Sequence, residues 1–158
     1  MAPVLGRVVQ ANPMRNKTME YIVSRGFMLP QTAQEFRNDY NFNLWSKQFW
    51  PYGEIELGDI LYWYETPSKR IVWKTRIVKV EGFPYQNRRH LREMLVTRFG
   101  HYDEGTPYAV NAPEMGYCLA YKSDPLERLN IPKPDNFRFP QLGWLKINDE
   151  IVAQWLSA

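Results

Sequence analysis

Apolar positions along this chain alternate in short runs rather than forming long helical stripes. Glu20–Arg25 (EYIVSR) is a β-rich run and predicts the first strand. Thr32 to Glu35 has the spacing of a capping box, so a helix is expected from Thr32 to about Tyr40, with Phe36 and Tyr40 on one face. Gly58-Asp59 reads as a turn. The strand after it, Ile60–Glu65, puts Ile60, Tyr62 and Tyr64 on one face and Leu61, Trp63 and Glu65 on the other. Thr66-Pro67-Ser68 turns the chain into a return strand, Arg70–Val80, whose broken alternation predicts a bulge or burial on both faces. Gly82 to Gln86 reads as a loop. Arg88–Phe99 carries Leu91, Met94 and Leu95 at helical spacing and stops at Gly100. Tyr117–Tyr121 predicts a strand, Asp124-Pro125 the capped start of a short helix, Gly143–Ile147 a last strand and Asn148–Leu156 a terminal helix. Residues 1–18, 41–53 and 101–116 read as irregular.

This order lacks the regular alternation of a doubly wound sheet. It predicts an α+β domain: a small, curved, mostly antiparallel sheet or barrel with flanking helices. Residues 1–19 read as an N-terminal arm and 20–158 as one domain, which is also compatible with a piece of a longer protein.

Composition narrows the class. The 158 residues are 44% hydrophobic and 23% charged, which excludes a wholly disordered chain. No apolar run approaches the length of a membrane span, and the N-terminus lacks the apolar core of a signal peptide. One cysteine, Cys118, and two histidines argue against an internal disulfide and a zinc site, so no metal or cofactor is expected and the setting reads as intracellular and cytoplasmic. Aromatic residues reach 15%, with six Trp and ten Tyr, more large rings than a core of this size needs.

Charge is uneven. The chain carries +3 in all, but residues 69–98 hold nine basic residues against Glu81 and Glu93, a local +7 that leaves −4 for the rest. Such asymmetry suggests a basic face for a polyanion. Nucleotide-binding glycine loops, a nucleophile elbow and an HExxH zinc motif are all missing, so a non-catalytic binding domain is favoured. Pro134-Asp135 followed by Leu145-Lys146 is an incomplete nuclease pattern, with Trp144 where a carboxylate is needed. What remains is rings beside cations. Stacking a base on an aromatic ring contributes about 1–3 kcal/mol. A closed aromatic pocket can also select a methylated base once that base is flipped or unpaired.

Several of these residues carry a family resemblance. Tyr21 to Arg25, a helix, then Leu44-Trp45-Ser46 resembles the opening of YTH domains. Gly58 to Tyr64, Ile71 to Val80, and Asp124-Pro125-Leu126 through Gly143-Trp144-Leu145 are similar to EVE domains. Both belong to the PUA-like superfamily, whose members bind RNA or DNA and in several cases read N6-methyladenine or modified cytosine. The resemblance implies a PUA-like barrel with Trp45 as a cage wall and Ser46 and Arg25 near the base or its phosphate. Trp50, Trp63 or Tyr64 would supply a second wall. The family's own second wall lies in a later loop, where this chain offers Phe83, Tyr85, Tyr102 and Tyr108 but no Trp. Lys69, Arg70, Lys74, Arg88, Arg89 and Arg92 are the expected phosphate contacts. The partner is then DNA or RNA carrying a modified base. The resemblance also admits a role as specificity domain of a modification-dependent restriction system, beside an effector nuclease or NTPase domain. Trp63, Trp73 and Trp144, on predicted strands, read as core. Two alternatives stand: a hydrolase of modified nucleosides like some ASCH-type domains, built on Lys74 with Glu65, and a protein-interaction module presenting its exposed rings.

Overall fold

The structure, a computed structural model, describes residues 7–8, 17–147 and 150–157. In chain order the elements are β1 (Arg7–Val8), β2 (Glu20–Arg25), α1 (Ala33–Arg37), β3 (Asn41–Trp45), β4 (Ile60–Glu65), β5 (Arg70–Tyr85), α2 (Arg88–Phe99), α3 (Pro107–Val110), β6 (Gly116–Pro132), β7 (Trp144–Lys146) and α4 (Glu150–Ser157). The strands form a sheet in the order β3-β6-β5-β4-β2-β7, with β1 paired to β5. Only β2 with β4 is parallel; the other pairings are antiparallel.

The sheet curls. Tyr121 on β6 and Trp144 on β7 lie four strands apart in the sheet order, yet their rings meet at 5.6 Å across the interior. The result is a mostly antiparallel half-barrel with a few helices, the α+β architecture expected. Inside it, rings run in series: Trp50 touches Tyr21, Tyr21 touches Trp144, Trp144 touches Tyr121, Tyr121 touches Trp63, and Trp63 touches Phe36 of α1. Outside it, α2 covers Phe83, Tyr85, Cys118 and Ala120 through Leu91 and Leu95, and Trp155 of α4 covers Ile22, Tyr64 and Ile71. Trp63, Trp73 and Trp144 are all core, as their strand positions predict.

Local signals hold where the chain obeys them. Thr32 caps α1, accepting from the Glu35 backbone N–H at 3.2 Å while its hydroxyl donates to the Glu35 carboxylate at 3.0 Å. Gly100 ends α2 in the left-handed conformation, φ 95°. At the Gly58-Asp59 turn the buried Asp59 carboxylate accepts from the backbone N–H groups of Glu56 and Met19.

Four expectations are corrected. Asn41–Trp45 is a strand, because it pairs with Leu119 and its neighbours on β6. β5 continues through the expected loop to Tyr85. Asp124-Pro125 starts no helix: β6 runs on to Pro132, and a register shift opposite Lys74/Thr75 absorbs the proline. The stretch 101–116 contains the short helix α3, capped by Thr106. Of the expected N-terminal arm, Arg7 and Val8 form a strand on β5; most of the remainder lies outside the described residues.

Candidate nucleic-acid interface

Where β2 and β3 end, side chains from four elements converge at one end of the half-barrel, called its mouth below. Arg25, the last residue of β2, turns its guanidinium inward. It sits 5.3 Å from the Trp63 ring centre and 5.9 Å from that of Tyr121, and donates to the Tyr121 hydroxyl and to the Ser24 carbonyl. The Tyr121 hydroxyl in turn donates to Asn43 Oδ1 on β3 at 3.3 Å. Tyr108 of α3 closes the group: its hydroxyl accepts from the Leu44 backbone N–H at 2.8 Å, and its ring stays 48% exposed. Trp45 lies one strand step beyond Asn43 on the same face.

Electrostatics here are set by burial against one cation. Burial pushes the Tyr121 phenol up to about 12, with Arg25 pulling the other way. Tyr108 is raised for the same reason, opposed by its hydrogen bond from Leu44 and by Arg25. Both phenols therefore stay protonated at neutral pH and offer hydrogen bonds rather than base catalysis. Trp144, whose ring abuts Tyr121, keeps a buried indole N–H with no hydrogen-bond partner among the described residues.

Three solved structures match this architecture. They are of the ASCH protein from Zymomonas mobilis: the protein itself, a tyrosine-to-phenylalanine variant and a serine-to-alanine variant. The tyrosine variant matches with a TM-score of 0.56 at 15% identity, over 87% of this chain and 96% of that one. The unmutated protein gives 0.53 at 15% identity, over 87% and 93%. The fold is similar to that of these ASCH structures. No family profile and no curated protein matches the chain. The curled sheet of this fold explains why residues from β2, β3, α3 and β6 converge at one mouth.

The ASCH-like frame sorts the expected site residues. Arg25 and Trp45 reach the mouth, and Ser46 is exposed just past Trp45. Trp45 itself is 9% exposed and packs edge-on against Phe49, so it walls the mouth rather than offering a free platform. Trp50 lies elsewhere, against Tyr21 at the start of β2 and under the Lys146 ammonium, with its indole N–H bonded to Glu54. Tyr64 is not brought to the mouth: it points to the outer face, 4% exposed, stacked on Phe139. Of the four rings offered for a second wall, Phe83 and Tyr85 are buried, Tyr102 packs on Phe42, and only Tyr108 presents an open face.

The basic residues do not form one patch. Lys69 and Arg70 sit at the start of β5 and Arg88 just beyond its end, separated by roughly 50 Å of chain path for a 16-residue strand. Arg70 bonds Asn130 at 3.2 Å. Arg88 is a structural clamp, donating to the carbonyls of Ala109 and Ala112 and to Glu114. Arg89 pairs with Glu93, and Arg92 with Glu104. Lys74 faces outward over the Tyr62 ring, whereas Glu65 is buried on the inner side and accepts from the Leu29 backbone N–H at 2.8 Å. The pairing of Lys74 with Glu65 is thus not made; the two lie on opposite faces of the sheet. Asn43 and Tyr121 were missed. Their signal, an alternation in NFNLW and YCLAY that sends both to one face, is visible only once the two runs are paired.

Proposed function

We propose that this chain binds nucleic acid and takes a flipped or unpaired, modified base at the mouth of the half-barrel, in the manner of YTH and EVE readers. The observation that carries this reading is Arg25: a guanidinium set over two rings, fixed by the Tyr121 hydroxyl, and opening toward an exposed tyrosine ring. A base would stack on Tyr108, against the wall made by Trp45, and receive hydrogen bonds from Arg25 and Asn43. A hydrolase of modified nucleosides is the second reading, favoured by the phenol–guanidinium pair of Tyr121 and Arg25; the protonated state of that phenol weighs toward binding.

Fluorescence polarisation against single- and double-stranded DNA and RNA, unmodified or carrying methylated adenine or modified cytosine, tests it. One modified member is expected to bind best, and Tyr108→Ala to weaken that binding about tenfold, the value of one stacking contact. Equal, salt-sensitive binding to every member would reject base reading and leave general nucleic-acid binding. No binding to any member would reject both.

A further inference from the structure

On the outer face of the sheet a cleft of about 180 Å³ lies between the end of α1 and the end of α2; Lys79, Lys122, Arg98, His101, Asn38 and Asp39 line it. Lys79 and Lys122 are direct cross-strand partners on β5 and β6, a placement that like charges disfavour. Two of the cations have protein partners. Lys79 donates to the Arg98 carbonyl and lies 4.4 Å from the Phe99 ring centre, and Arg98 bonds the buried Glu81 carboxylate at 2.5 Å. Lys122 has neither a hydrogen bond nor an ion pair to any described residue. The opposing charge at the rim is Asp39, which accepts from the Tyr40 backbone N–H at 2.8 Å and lies 3.5 Å from His101 Nε2.

Three cations and an imidazole thus converge where the fold supplies an acid for Arg98 and an acid near His101, but none for Lys122. The cleft is smaller than the roughly 300–1,000 Å³ of pockets that enclose whole organic ligands. It fits an anionic group of a few atoms. We propose that it binds a phosphate group, with Lys122 as the principal contact and Lys79, His101 and the Asn38 amide around it. Lysine suits this task as a point charge. The group can be a free phosphate or the phosphate of a nucleotide or oligonucleotide; the chemistry is shared. The site stands whether or not the mouth takes a base.

The test is a titration followed by two-dimensional amide NMR in chloride buffer. The probes are inorganic phosphate, a nucleoside monophosphate, and one oligonucleotide with and without a 5′-phosphate. Saturable shifts are expected at Asn38, His101 and Lys122, and the probe that saturates lowest names the source. Lys122→Glu should weaken binding at least tenfold. Asp39→Asn should tighten it severalfold, because it removes the opposing carboxylate. Lys122→Ala, which adds no charge, guards against misfolding, since resonances far from the cleft must stay in place. Unsaturating shifts spread over the basic surface, or saturable shifts that persist in both Lys122 variants, would overturn the proposal.

Discussion

Thr75 shows how one buried hydroxyl holds the interior in register. It is fully buried, accepts from the Trp63 indole N–H at 2.8 Å and donates to the Leu61 carbonyl at 3.3 Å. Trp63 is the ring on which Arg25 rests, so the chain of support runs from hydroxyl to indole to guanidinium. Thr75→Val keeps the shape and removes both bonds. It should destabilise the fold by about 1–3 kcal/mol, the cost of a buried donor left without a partner, read as a lower urea midpoint at unchanged slope. At this scale the sequence was informative where a residue's own type carries the message. Arg25 was marked only through the family resemblance, whereas Thr32 stood out as a cap. Tyr64 did not, because the alternation of its strand defines two faces without saying which is inside. Both faces of β4 are apolar here, one against the barrel interior and one against Trp155, so the pattern lacks a polar side to orient it.

Among the elements, β3 depends on a close approach that leaves no room for a side chain. A Cβ on Gly116 would stand 2.1 Å from the Trp45 carbonyl oxygen. Gly116→Ala must therefore push β6 off β3 at the residue that walls the mouth. It should cost about 3 kcal/mol, the upper end of ordinary substitutions, and weaken ligand binding together with stability. Gly26→Ala, where the same added atom meets nothing within 4 Å, serves as the silent control in the same melt. The misread elements share one cause. β3 pairs with a strand some 75 residues away, and nothing local in NFNLW announces that partner. Asp124-Pro125 carries a genuine helix-start signal, but long-range pairing with β5 outweighs it, and the register shift beside Pro125 lets the ladder tolerate a residue without an N–H. The hairpin turn at 66–68 and helix α2 were legible because the signals that make them lie within the element.

For the whole molecule, the tyrosines set an alkaline limit. Burial pushes Tyr85 and Tyr121 each up to about 12, and raises Tyr40 and Tyr62 further. The unfolded chain loses these protons near pH 10, the folded one later. Between those values the native state binds more protons, so stability falls as pH rises. Their contribution is complete below pH 10 and drains away as pH rises from there through about 12. Tyrosinate absorbance should accordingly lag free tyrosine and then rise cooperatively with loss of the near-ultraviolet dichroism. Titration with a single midpoint near 10 and no lag would contradict the buried ladder of rings. The same curled sheet has a consequence for how the protein is made. β2 leaves the ribosome well before one of its two neighbours, β7, which pairs Val23 with Trp144, about 120 residues later. Throughout synthesis β2 must wait with one edge open, so the half-barrel is sealed late by its penultimate element. A nascent chain of this protein thus carries an unpaired, aggregation-prone strand edge until β7 emerges.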